Sequence, residues 1–399
     1  MLETRDGQEA NRILRTCVHC GFCIATCPTY RLLGDELDSP RGRIYLVKGL
    51  LENDDSTEIT RTHLDRCLTC RACETYCPSG VEYGRLVDIG RQHLEKTRPR
   101  PVIARIGRYL LRRFLTTKLL FAYCLTAGQI VRPLLPGTLQ KRIPVRRKVS
   151  RVHPGNHPRR MILPRGCVQP SLSPQTNQAT VSVLEKLGIT AIECDQDQCC
   201  GAIDFHMSDT GQARVFIRKN IDAWWPLVEA GAEAIVSPAS GCGVMIKDYG
   251  YIMRDDRDYA EKAATISRIT CDLCEVFGDE EKQALGKLIK ENTETVVFQS
   301  PCTLQHGQKL AGRIERLLDD IGIPALPVRD GHQCCGSAGV YSLLQKPLSA
   351  QLRENKMKNL LAVKPDVILT ANVGCQHHLQ QSTDVPVMHW VEFVDRLIQ

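Results

Sequence analysis

The chain has 399 residues, with 52 Lys or Arg, 45 Asp or Glu and 20 Cys. That length suits two or three domains. Ordinary hydrophobic (43%) and charged (24%) fractions argue against a disordered chain and a polytopic membrane protein.

Twenty cysteines are too sparse for a disulfide scaffold and too many for chance. The N-terminus is polar and acidic, without a secretory core or twin arginine. The expectation is a cytoplasmic protein whose thiols stay reduced and free for metal or redox chemistry. The net charge of +7 is unevenly placed. No Asp or Glu lies between Glu95 and Glu185, a gap holding 18 Lys or Arg, which leaves 34 basic against 45 acidic residues elsewhere, a net of −11. A basic segment on an acidic body predicts a membrane-surface or partner contact, with a solvated linker as the plainer alternative. No stretch reaches the roughly 20 uninterrupted apolar residues of a spanning helix. Phe114 to Leu135 comes nearest and is broken by Lys118, Gln129, Arg132 and Pro133.

Residues 1–97 read as an α-helical domain with eight Cys in two tight groups. Residues 17 to 28 are CVHCGFCIATCP and residues 67 to 78 are CLTCRACETYCP. Both are C-x2-C-x2-C-x3-C-P, the run of two-cluster bacterial ferredoxins. Three thiolates two residues apart let one loop wrap a cubane, and the fourth Cys points away toward the other cluster. This predicts two [4Fe–4S] clusters, one on Cys17, Cys20, Cys23 and Cys77, the other on Cys67, Cys70, Cys73 and Cys27. Structural zinc accounts for C-x2-C pairs but not for two identical four-Cys runs each followed by Pro. His19 reads as a surface or outer residue, not a ligand. Ile44, Val47 and Leu51 recur at helical spacing after a Ser39-Pro40 start signal.

Residues 98–158 form a basic helical or linker segment. Ile103, Ile106, Leu110, Phe114 and Phe121 make one face of a predicted amphipathic helix, and Arg105, Arg108 and Arg112 another. Pro133, Pro136 and Pro144 break the pattern, and Arg146-Arg147-Lys148 ends it.

Residues 159–280 and 281–399 are an internal repeat. Cys167, Cys199, Cys200 and Cys242 are matched by Cys302, Cys334, Cys335 and Cys375, at offsets of 135, 135, 135 and 133 residues. Each set contains Cys-Cys-Gly, where Gly gives the backbone a special turn and lets a bulky group approach. Apolar strands precede the Cys and amphipathic helices follow, which predicts two α/β units with mainly parallel sheets and the Cys at the strands' carboxyl ends. The fold class is thus α+β multidomain. The eight repeated Cys are a candidate additional metal or redox site. Cys124, Cys194, Cys271 and Cys274 read as buried or incidental thiols.

The Cys-Cys-Gly repeat resembles the cysteine-rich domain found in subunits of heterodisulfide reductase and glycerol-3-phosphate dehydrogenase and in lactate-utilisation proteins. Those repeats end in C-x2-C; here Met245 follows Cys242 and His378 follows Cys375, so one ligand per repeat is missing or changed. His377 or His378 is a candidate substitute in the second repeat. Over nearly the full length, segments such as DELDSPRGRIYL, NIDAWWP and NVGCQHHL resemble the family of glycolate oxidase iron–sulfur subunits. The resemblance implies an electron-transfer subunit of a glycolate oxidase (glycolate dehydrogenase) complex, with two [4Fe–4S] clusters and a possible further iron–sulfur cluster in the repeats. It implies a FAD-containing partner that oxidises glycolate to glyoxylate, a second flavoprotein-like subunit, and a membrane acceptor such as quinone. It also implies peripheral placement on the cytoplasmic face of the inner membrane. The chain shows no G-x-G-x-x-G fingerprint, so the hydride chemistry belongs to a partner and the chain alone contributes no catalytic residue. A D-lactate-oxidising or heterodisulfide-reductase-like complex is the alternative. The acidic Cys-bearing body and the ferredoxin spacing argue against a nucleic-acid partner.

Overall fold

The computed structural model describes residues 3–140, 143–145 and 155–399. The basic run Arg146-Arg147-Lys148 lies outside the described residues. The fold is α+β: a helical N-terminal region followed by two parallel four-stranded sheets with helices around them.

The N-terminal region packs Arg5–Thr16, Pro40–Glu52 and Tyr83–Thr97 around a small core of Ile13, Ile44, Val47, Leu64 and Leu86. The helix predicted after Ser39-Pro40 starts there, with Ser39 Oγ accepting from Gly42 N at 3.0 Å. Gly42 is required by a close approach, because a Cβ at that position would run into the Glu36 carbonyl.

The basic segment departs from the expected single helix. It forms Val102–Thr116 and Lys118–Val131, broken at Thr117, whose backbone is extended. With the turn that follows, the two arms are bent by 88°. Phe121 therefore belongs to the second arm and folds back on Phe114, ring centroids 5.4 Å apart. The first arm's apolar face is left largely uncovered, with Ile103 87% and Leu110 59% exposed, while Phe121 is buried. Among the described residues no single helix is long and apolar enough to cross a membrane, although the bent pair passes by length and composition taken together.

The first repeat holds β1 (Arg159–Leu163), β2 (Ile189–Glu193), β3 (Ala234–Ser237) and β4 (Thr270–Asp272), in the order β2-β1-β3-β4. The second holds β5 (Val296–Gln299), β6 (Ala325–Leu326), β7 (Val367–Thr370) and β8 (Val387–His389), in the order β6-β5-β7-β8. Every pairing is parallel, with registers such as Met161↔Ala191 and Val297↔Ile368. The inner strands β3, β5 and β7 are short apolar runs buried almost throughout, as parallel sheets under helices demand. One core joins the repeats, running from Leu163 and Val236 through Phe277 to Phe298, Trp390 and Phe393. Two polar contacts cross it reciprocally. Asp272, at the end of β4, accepts from Gln308 Nε2 at 3.0 Å, and His389, at the end of β8, pairs with Pro238 O at 2.8 Å.

Candidate metal centres

The two ferredoxin-like runs fold as loops that reverse handedness twice. His19 and Gly21 in the first, Thr69 and Arg71 in the second, all have positive φ. Alternating left-handed residues turn successive backbone N–H groups toward one interior point, a nest for an anionic group. Thr69 N approaches Cys67 Sγ at 3.4 Å, and Val81 N approaches Cys77 Sγ at 3.4 Å.

Each loop closes over an interior cavity. Cys17, Cys20, Cys23 and Cys77 line one, with His19 in its wall. Cys27, Cys67, Cys70 and Cys73 line the other. Cys73, Pro40 and Tyr83 are common to both walls, so the two sites share a partition. Burial pushes the Cys23 thiol up to about 11, and the facing Cys17, Cys77 and Cys20 add to it. Burial likewise raises Cys73, with Cys70, Cys67 and Cys27 around it. Four soft sulfur donors facing one interior cavity fit an iron–sulfur cubane, which bound thiolates would carry as an anion.

Arg43 counters that charge and was not singled out by the Cys spacing. Its side chain is 1% exposed and lies 3.9 Å from Cys27 Sγ. It donates to Thr29 Oγ1 and Asp38 at 3.0 Å, and to His63 O at 2.7 Å. Asp38 also binds Arg66 at 2.8 Å, so the buried cation is held by a complete network.

In the repeats the Cys lie just past the carboxyl ends of the strands. Cys167 follows β1, Cys199 and Cys200 follow β2, and Cys242 follows β3; the second repeat repeats this after β5, β6 and β7. Gly201 (φ 90°) and Gly336 (φ 88°) make the turn after each Cys pair, and a Cβ at Gly336 would meet Ser349 O at 2.7 Å. The Cys199 and Cys242 thiols hold the Cys200 thiol below the ordinary range, whereas Cys199 is pushed up by Cys167 and then Cys200, and Cys242 by Cys200. Cys167, Cys200 and Cys242 line a cavity with Asn220 and Trp224. In the second quartet Cys335 Sγ and Cys375 Sγ are 3.2 Å apart, and Cys302 Sγ and Cys334 Sγ 3.9 Å.

The residues three past the last Cys do not replace a thiolate in the same way. Met245 packs at the Cys199-Cys200-Gly201 turn, its Cε 3.5 Å from where a Gly201 Cβ would stand. His377 Nε2 is engaged by Ser173 Oγ at 2.8 Å, and His378 Nε2 by Ser349 Oγ at 3.2 Å. In both rings Nε2 is the nitrogen so engaged. Cys274 is buried in the core between the repeats and Cys271, half-buried, packs against it. Cys194 points to Ala223 O at 3.7 Å, and Cys124 is exposed.

The second quartet is not isolated. Cys70 has Cys302 among its electrostatic neighbours, and Cys334 has Cys70. Leu68, Tyr341, Leu348 and Leu352 pack between the two regions. Lys356, 2% exposed, lies beside all four thiols of the quartet and donates to Gly331 O at 2.9 Å. The first repeat meets the N-terminal helices at His206. Its Nδ1 lies 3.2 Å from the Asp88 carboxylate, and Arg71 lies 3.5 Å from Asp248. Burial disfavours charge on His206, but Asp88 outweighs it and raises the pKa above the ordinary value. No local motif marks Arg43, Lys356 or His206, because their partners are distant in sequence.

The chain matches the family described as "4Fe-4S dicluster domain" over residues 13–81, and the family described as "Cysteine-rich domain" over residues 164–247 and 296–380. It is 47% identical over 392 residues to "Glycolate oxidase iron-sulfur subunit" of Escherichia coli (strain K12), covering 98% of this chain and 96% of that protein. It is 28% identical to "Probable glycolate oxidase iron-sulfur subunit" of Bacillus subtilis (strain 168), covering 91% and 87%. "Lactate utilization protein A" of Geobacillus thermodenitrificans (strain NG80-2) is 26% identical and covers 55% of this chain and 91% of its own length. A crystal structure of a hypothetical protein from Helicobacter pylori superposes over 99% of this chain and 73% of its own, with a TM-score of 0.53 at 10% identity, a likeness of fold. Helical dicluster region, duplicated cysteine-rich domain and full-length identity together place the chain in the family of glycolate oxidase iron–sulfur subunits.

Proposed function

We propose that the chain conducts electrons from a FAD-containing partner, which oxidises glycolate to glyoxylate, to a quinone-type acceptor at the membrane. The observation that carries this reading is the placement of Cys70 among Cys27, Cys67 and Cys73 on one side and beside Cys302 and Cys334 on the other. Iron–sulfur clusters supply one-electron carriers, which a flavin's two electrons require. On this reading Cys17, Cys20, Cys23 and Cys77 hold one cluster, and Cys67, Cys70, Cys73 and Cys27 the other. The quartet Cys302, Cys334, Cys335 and Cys375 holds a further centre next in line. Cys167, Cys199, Cys200 and Cys242 form a fourth site on the opposite repeat. The complex also includes a second flavoprotein-like subunit.

The bent pair Val102–Thr116 and Lys118–Val131 supports peripheral attachment to the cytoplasmic face of a membrane. Exposed Ile103, Ile106, Leu119 and Ile130 accompany a stretch without a single carboxylate. That is the pattern of an interfacial helix on anionic lipid.

The test is an anaerobic iron and sulfide count with EPR on the intact chain, followed by glycolate addition to the complex. Three or four clusters that bleach with glycolate are expected. Zinc without acid-labile sulfide would sink the assignment, and reduction by D-lactate but not glycolate would move it to the lactate-oxidising alternative.

A further inference from the structure

The N-terminal helices and the first repeat enclose a cleft of about 220 Å³ beside the second ferredoxin-like run. Its size exceeds the roughly 150 Å³ cavity that accepts a benzene ring. Cys70 forms part of its wall, so the cleft abuts the second ferredoxin-like run. His206 lines it, paired through Nδ1 with Asp88; Nε2 has no protein partner among the described residues. The remaining wall mixes apolar Ile89, Phe205 and Ile252 with guanidinium groups.

Several of those cations are already neutralised. Arg71 is bound by Glu74 at 2.9 Å and by Asp248, Arg85 by Glu82, and Arg254 by Asp6 at 2.7 Å. A cleft whose charges are largely spent on each other, with apolar faces between them, suits an uncharged planar ligand better than a free anion. Lys96 and Arg214 are further cations in the wall, so a small carboxylate is the competing ligand for the test to exclude. The helix that carries His206, Ala202–His206, is also tied to the exposed apolar arm: Arg112 lies 3.3 Å from Asp204 and 2.8 Å from Asp209. The wall carrying His206 is thus held to the basic segment by ion pairs.

We infer that this cleft binds the ring of a quinone, with Cys70 at the electron-delivering wall and His206 Nε2 donating to a ring oxygen. The inference rests on the electron-transfer reading above and adds the place of the acceptor. The reaction balances with what that reading supplies. Glycolate oxidation to glyoxylate releases two electrons and two protons. The quinone takes up two electrons, one at a time, and two protons, becoming the quinol. His206 passes one proton from Nε2 to the ring oxygen it meets and regains one from solvent, the second ring oxygen takes its proton from solvent, and Asp88 holds the imidazole in place.

The experiment uses the full complex and an azido-substituted short-chain ubiquinone as photoprobe, with labelled peptides mapped by mass spectrometry. Labelling is expected on the segments 69–92 and 202–214, competed by unlabelled short-chain ubiquinone. His206→Gln, which removes the imidazole and its proton relay, and Thr210→Trp, which fills the wall, should each cut labelling at least fivefold. His206→Gln should also raise the quinone concentration for half-maximal labelling. Labelling elsewhere, labelling untouched by both variants, or competition by glycolate in place of quinone would overturn the site. Glycolate-driven ferricyanide reduction by the unaltered complex is run alongside. Its failure overturns the electron-transfer reading itself, whereas misplaced labelling with ferricyanide reduction intact overturns only the cleft.

Discussion

Thr75, inside the second ferredoxin-like run, meets His306 of the second repeat across 231 residues of sequence, Oγ1 to Nδ1 at 2.9 Å. His306 is fixed at its other nitrogen by His332 O at 3.1 Å, and Tyr76 packs near both imidazoles. The pair pins the Cys67–Cys77 loop to the π-helical turn after Cys302. His306→Leu leaves the Thr75 hydroxyl and His332 O without this partner at a buried junction. The expected loss is about 1–3 kcal/mol in urea unfolding. Slower reduction of the second quartet relative to the ferredoxin-type clusters should accompany it, followed by rapid-freeze EPR.

Arg43 makes a separate prediction about the cluster beside Cys27. A buried cation favours the more negative, reduced state of a nearby cluster. Arg43→Met should therefore lower that cluster's potential in a redox titration, leaving the Cys17 cluster nearer its original value. It also strips Asp38 of one of its partners, at a cost on the order of 3–5 kcal/mol. Arg43→Lys restores the charge but not the fork of hydrogen bonds, so it should recover more of the potential than of the stability.

How much of this was readable beforehand follows from the range of each interaction. The two Cys runs and their left-handed loops are local, so spacing alone carries them: His19, Gly21, Thr69 and Arg71 bend where the C-x2-C-x2-C pattern requires. The repeat was visible because equal offsets place Cys167 and Cys302 after equivalent strands. The bend at Thr117 was not visible, because the apolar stripe from Ile103 to Phe121 stays in phase across it. The adjacency of Cys70 to Cys302, the Asp88–His206 pair and the burial of Lys356 arise only when the N-terminal helices dock on the sheets. Met245 and His378 look like lost ligands in sequence; in the fold they fill space beside the Cys-Cys-Gly turns.

The reciprocal contacts of Asp272 and His389 predict an opposed pH response at the junction of the repeats. Burial depresses His389 from an ordinary 6.5 to about 4. The unfolded chain therefore binds a proton that the folded chain refuses, and this contribution is complete above pH 6.5 and lost as pH falls toward 4. Burial raises Asp272 from 3.8 to about 6. The folded chain keeps a proton that the unfolded one releases, so that contribution is present below pH 3.8 and lost as pH rises toward 6. The two largely offset each other between pH 4 and 6. Asp272→Asn removes one side, and its stability relative to the parent chain should fall by up to about 3 kcal/mol between pH 6 and pH 4 in thermal unfolding. A flat difference profile would mean that Asp272 is charged throughout.

Lys356 distinguishes the two repeats. Its ammonium lies beside Cys302, Cys334, Cys335 and Cys375, and burial lowers its pKa although those thiols oppose the shift. In the first repeat the corresponding helix, Thr210–Glu229, offers a neutral group, Asn220, which donates to Cys199 O at 2.9 Å and to Tyr249 Oη at 3.0 Å. One quartet therefore faces the fully buried Lys356 ammonium, while among the described residues the other has Asn220 at that place and the His206 imidazole beside Cys200. A centre at the second quartet should have the higher potential of the two, which suits its place beside Cys70. Lys356→Met should lower that potential selectively, seen as loss of one EPR component on mild reduction while the first repeat's signal persists. Lys356→Arg keeps the charge, although Gly331 O must accept from a bulkier group. Recovery of the signal by arginine but not by methionine would identify the charge, not the packing, as the cause.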